Sequence, residues 1–264
     1  MAETDTSAAW LGGLLQLNDT FYPTGSYAHS FGLEGLVADG VVKDRETLRN
    51  FLLLSALPAL CQTELPLTIH AWQAFGLIEK EIQGHGMERG TGVRSSDVVA
   101  GKYCPKLDGW VRIGELCLLS SALKTASEAR LASDNIGRQR TELAANLHAH
   151  PLAREYLRRA GEGRWPFSPA IAAALEARML GAPLEAALAS VFYANIAGLL
   201  AAAMKLLRLG QNGCQTLLTE ILGHMTASID FAKKVPVDEI GWFNPWLDIA
   251  AARHATAAAR LFIS

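Results

Sequence analysis

The residues whose types could do chemistry gather near the N-terminus, in the stretch Gln16-Leu-Asn-Asp-Thr-Phe-Tyr-Pro-Thr-Gly-Ser-Tyr-Ala-His-Ser-Phe-Gly-Leu-Glu34. Tyr27, His29 and Glu34 are an acid/base set by type. Their offsets along one helix, i to i+2 and i to i+5, disfavour convergence on a single substrate atom. His29 has no ligand type at i+3 or i+4, so it reads as a core or capping histidine rather than half of a metal site. His148 and His150 point to different sides of a helix, which argues against joint metal binding. No GxSxG elbow, HExxH pair, glycine-rich dinucleotide turn or GxxxxGK[ST] loop is present. Cys61, Cys104, Cys117 and Cys214 form no CxxC pair, which leaves buried free thiols of a reducing compartment as the simplest account. No catalytic residue and no metal ligand is assigned.

The elements that must position this stretch are helices. Half of the 264 residues are apolar and 19% are charged, with alanine and leucine dominant. That composition predicts an all-α fold, a single-domain bundle of roughly ten helices over 1–264 with one long inserted loop. A formal charge of -2 supplies no electrostatic reason for nucleic acid or an anionic membrane as partner. The start MAETDTSAAWLGG lacks a basic n-region, and Asn195 and Lys205 interrupt the longest apolar run, so the expectation is a cytoplasmic protein without a membrane span.

Taken in order, a first helix starts near Leu11 and stops before Pro23. Ser26 or Thr24 then caps a second, whose first turn carries Tyr27, Ser30, Phe31 and Glu34 at helical spacing. Asp44 is an N-cap, Pro58 a kink or break, and Pro66 suits the first turn of a helix over 64–82. Residues 84–109 are rich in glycine and serine and read as a mobile loop. Trp110 to His150 forms one or two long helices with Gly137 near a junction and Pro151 closing them. Ser168-Pro169 opens a short helix that Gly181 ends. Leu184 to Leu209, the most apolar helix, is expected at the centre of the bundle, followed by a helix over 214–231 and a last one over 247–262.

Two features suit contact with another protein. Lys205 lies on the most apolar helix, either snorkelling toward its end or meeting a buried interface. The terminal helix sets Arg253 and Arg260 on one face and ends in Leu261, Phe262 and Ile263, a greasy end that either docks on its own core or is gripped by a partner.

Several of these residues fall into a family pattern. Leu15, Gln16, Asp19, Tyr22, Pro23, Gly25, Ser26, Tyr27, His29, Ser30, Gly32, Leu33 and Glu34 are followed by Thr63-Glu64, Ser127-Glu128, Arg130 and Gly137. Gln211 and Gln215 come next, then Asp248-Ile249, Arg253-His254 and Arg260-Leu261-Phe262 with Ser264. In order and spacing the chain resembles the urease accessory protein UreF family. The resemblance implies an all-helical homodimer with no catalytic activity and no tightly bound cofactor. It implies an adaptor that joins UreD (also called UreH) to the GTPase UreG, regulating the GTPase so that nickel in transit through the complex reaches the urease apoprotein. It places Ser26, Tyr27, His29, Glu34, Lys205 and Gln211 on a face toward UreG, and Arg253, His254, Arg260, Leu261 and Phe262 in the UreD contact, with 247–264 as the partner-binding helix. Some relatives carry a metal-binding His and Cys ahead of Asp248; this chain has neither, so no nickel site is assigned. The rival readings are a helical acid/base enzyme and a structural adaptor of an unrelated assembly.

Overall fold

Asp44 shows how local chemistry starts a helix here. Its carboxylate accepts the Thr47 backbone N–H at 2.9 Å while the Thr47 hydroxyl accepts the Asp44 N–H at 3.0 Å, a reciprocal capping box. The computed structural model describes residues 7–19, 21–25, 30, 32–87, 108–254 and 261–262, and among them it is all-α, with no strand. The helices are α1 (Ser7–Leu17), α2 (Leu33–Ala38), α3 (Arg45–Phe51), α4 (Leu57–Gln62) and α5 (Glu64–Met87). After residue 107 come α6 (Gly109–Ala122), α7 (Ser127–Leu147), α8 (Pro151–Gly163) and α9 (Pro169–Leu180). The chain continues with α10 (Leu184–Leu206), α11 (Gln211–Leu222), α12 (Met225–Ala232) and α13 (Pro245–His254).

Several boundaries differ from expectation. Pro58 does not end its segment: α3, a π turn at Leu52–Ala56 and α4 run on as one helical stretch, and the wider turn lies immediately ahead of Pro58, which has no N–H to give a preceding carbonyl. α5 runs on to Met87, so the first residues of the expected loop are helical; 88–107 lie outside the described residues. Pro151 opens α8 instead of only closing the helix before it, and Gly223-His224 divides the expected 214–231 helix into α11 and α12.

The larger correction concerns the centre of the bundle. It is α9, not α10: every residue from Ala170 to Ala177 is buried, and α5, α7, α1 and α10 all pack on it. Alanine side chains let neighbouring helices approach from all sides, whereas hydropathy alone pointed to α10. One face of α10 is open, with Tyr193 and Met204 exposed. The core has two main parts, one of α2–α4 with α10–α13, to which α5 and α9 add Leu65, Ile69 and Ala173, and one within α5–α9.

Candidate functional site

The stretch from Gln16 to Glu34 is anchored at Tyr22 by a buried ion pair. Tyr22 is buried and its hydroxyl donates to Glu176 Oε1 at 3.4 Å, while Arg140 donates to Glu176 Oε2 through Nε at 3.0 Å and through a second guanidinium nitrogen. Burial pushes both the Tyr22 phenol and the Glu176 carboxyl up; the Arg140 guanidinium opposes the shift at both. Above this anchor the chain turns tightly. Asp19 accepts Phe21 N through its side chain at 2.7 Å and Tyr22 N through its carbonyl at 3.0 Å. Gly25 then takes φ +73, the left-handed region open to glycine.

The helix expected across Tyr27 to Glu34 is interrupted at its described residues Ser30 and Gly32. Gly32 stands at φ +85 immediately before α2, so the helical register proposed from Tyr27 through Glu34 is not continuous. Ser30, fully buried, instead lies ahead of the helix, its hydroxyl accepting Glu34 N at 3.4 Å. Ser26, Tyr27 and His29 lie outside the described residues, as does Arg260; His254 is described only as the last residue of α13.

α2 packs closely against α13. A Cβ on Gly32 would lie 2.8 Å from Leu247 Cδ1, and one on Gly35 would lie 2.8 Å from the Ala250 carbonyl oxygen. Hydrogen at both positions is what permits this crossing. Its consequence is that Glu34 reaches the C-terminal tail: Oε1 accepts Leu261 N at 2.7 Å and Oε2 accepts Phe262 N at 3.2 Å. Phe262 is 5% exposed, and Lys205 Nζ lies 5.1 Å from its ring centroid. The expected greasy end is thereby corrected in part: Leu261 is exposed, but Phe262 is docked on the chain's own core beside α2 and α10. Arg253 approaches Asp39 at 3.8 Å, an exposed pair of little energetic weight.

Glu34 and Lys205, assigned by resemblance to one face, therefore meet Phe262, assigned to the other. Gln211 does not join them; it starts α11 and lines a groove of about 360 Å³ with Tyr193, Met204 and Gln215. Among the described residues no three His, Cys, Asp or Glu side chains converge as a metal site. Sequence reasoning missed Glu176 and Arg140. A lone carboxylate inside the alanine run of α9 was the available signal, because a charge there must be paired.

The UreF family model matches residues 42–222, more than half of the chain. This chain belongs to the UreF family. It is similar to the urease accessory protein UreF of Bacillus sp. (strain TB-90), 28% identical over 95% of this chain and 97% of that one. That of Paenarthrobacter aurescens (strain TC1) is 29% identical over 98% of this chain and 100% of its own length, and that of Arthrobacter sp. (strain FB24) 27% over 95% and 96%. The family match falls between the N-terminal stretch and α13, so of Glu34, Lys205, Leu261 and Phe262 it includes only Lys205; the relatives align along almost the whole chain.

Proposed function

We propose that this protein is a urease accessory protein that acts as an adaptor, joining UreD/UreH to the GTPase UreG and regulating the GTPase during nickel delivery to the urease apoprotein. It works as a cytoplasmic homodimer, holds no tightly bound cofactor and performs no catalysis of its own; nickel is cargo. Family membership and full-length similarity to proteins named urease accessory protein UreF support the maturation role.

The observation that carries the adaptor reading is the join of α2, α13, the C-terminal tail and the end of α10 through Glu34, Gly35, Phe262 and Lys205. Residues that this reading assigns to the UreG and UreD contacts meet at this join, with Leu261 exposed beside the buried Phe262, which supports two partners held side by side. Ser26, Tyr27 and His29 complete the UreG contact in this reading, and Arg253, His254 and Arg260 the UreD contact.

The experiment is co-purification of the chain with its host's UreD and UreG, with and without 247–264. A three-protein complex that loses UreD on truncation is the expected result, with Tyr27→Ala weakening UreG retention alone. An intact, folded chain that retains neither protein would overturn the adaptor reading.

A further inference from the structure

The geometry points to Glu34 and Lys205 as positioning residues for the C-terminal tail, which act on partner binding by fixing the bend at Leu261-Phe262. The partner side of this inference deepens the adaptor reading and rests on it; the seat itself does not.

Two adjacent backbone N–H groups ordinarily diverge along an extended chain, so delivering both to one carboxylate requires a local bend. The described tail residues form such a bend, and each oxygen of Glu34 takes one amide, at 2.7 and 3.2 Å. Charge-assisted hydrogen bonds of this kind are stronger than neutral ones. With both amides held, the side chains are directed apart: Phe262 enters the core cluster of α2 and α10, while Leu261 faces solvent at 66% exposure. Lys205 secures the inward member, its ammonium lying within the roughly 6 Å over which a cation is attracted to an aromatic face. The backbone that carries Glu34 is held close to α13, since a Cβ on Gly35 would lie 2.8 Å from the Ala250 carbonyl oxygen. One carboxylate thus sets which tail residue is buried and which is presented.

The test has two arms on the full-length chain. In the first, amide hydrogen exchange at Leu261 and Phe262 is read in the isolated protein, with folding checked by circular dichroism. Glu34→Ala is expected to speed exchange about tenfold or more, and Glu34→Gln, which keeps one neutral acceptor, by less. Lys205→Met is expected to speed it about two- to fivefold, with Lys205→Arg restoring protection because it keeps the cation on the ring. Unchanged exchange in the folded Glu34 and Lys205→Met variants overturns the seat.

In the second arm, retention of UreD and UreG is compared for Glu34→Gln, Phe262→Ala and the double variant. If Glu34 acts through the tail, the double variant is no weaker than Phe262→Ala. If the two losses multiply, Glu34 meets the partner directly and the positioning role is overturned, while the adaptor reading survives. If the wild type retains neither partner, the adaptor reading falls together with the partner half of this inference, and the exchange arm alone decides the seat.

Discussion

Replacing Gly137 by alanine tests the packing that holds the whole arrangement. In isolation the change should help, since alanine inside a helix is favoured over glycine by about 0.8–1.0 kcal/mol. Gly137 sits within α7 against the start of α9, where a Cβ would lie 2.7 Å from the Ser168 carbonyl carbon and 2.8 Å from its Cα. Carbon atoms pack at about 3.5–4.0 Å, so α7 and α9 would have to part by about 0.8 Å or more. Both sides of the contact are backbone, and no rotamer change relieves it. Parting also strains the Asp134 carboxylate that accepts Phe167 N at 2.7 Å and the Arg140–Glu176 pair. Overpacking of this kind costs about 3 kcal/mol, the upper end of its usual range, leaving a net loss of about 2 kcal/mol. For a domain of this size that lowers Tm by roughly 4–8 °C.

The control is Gly198→Ala in α10, where a Cβ would meet nothing within 4 Å. It should raise stability by up to about 1 kcal/mol. The assay is urea and thermal unfolding of both variants beside the wild type. Opposite signs support the argument; a Gly137→Ala protein as stable as Gly198→Ala would refute it.

Three further outcomes are expected. Arg140→Leu leaves Glu176 buried without its cation and should cost about 3–5 kcal/mol, whereas Arg140→Leu with Glu176→Leu should recover much of it, as read by urea unfolding. With Arg140 gone, Glu176 has a folded pKa raised further by burial, so the deficit should grow as pH rises above the unfolded value near 4.3 and be smallest below it; a deficit independent of pH between 4 and 8 would contradict this. Glu155, held down at about 2 chiefly by hydrogen bonds from Arg158 and then Arg159, contributes in the opposite sense. Its stabilisation is present above the unfolded value near 4.3 and lost as pH falls toward 2; because the pair is partly exposed, Glu155→Gln should cost under about 1 kcal/mol at pH 7, a difference that closes in acid. Burial pushes the Cys117 thiol up to about 12 and raises Cys61 and Cys214, so native protein at pH 8 should label at these three far more slowly than unfolded protein, as mapped by mass spectrometry.

How far the sequence carried differs between helix and site. The N-cap Asp44, the Ser168-Pro169 start and the Gly181 stop were legible because each acts within one helical turn. Even there the tertiary context intervened: the Ser168 hydroxyl caps nothing in its own helix and accepts from Ser120 Oγ at 2.8 Å instead. Gly137 was visible as a distinctive residue, but its place in mid-helix was not, since the reason for it lies on the backbone of α9. The continuous helix expected from Tyr27 to Glu34 failed because periodicity is blind to a single positive φ at Gly32.

By itself, then, the sequence determined an all-α chain, several of its helix starts and the UreF family pattern. These follow from local propensity, proline and glycine geometry, and the order of motifs. The tertiary structure decided which helix is central and how charges are paired. Burial of α9 depends on the neighbours that alanine admits, and the Tyr22–Glu176 contact spans 154 positions of sequence. It alone set Glu34 against a tail 227 residues away, with Phe262 inward and Leu261 outward. No spacing rule connects such residues, because their meeting is fixed by how closely two helices can cross at Gly32 and Gly35.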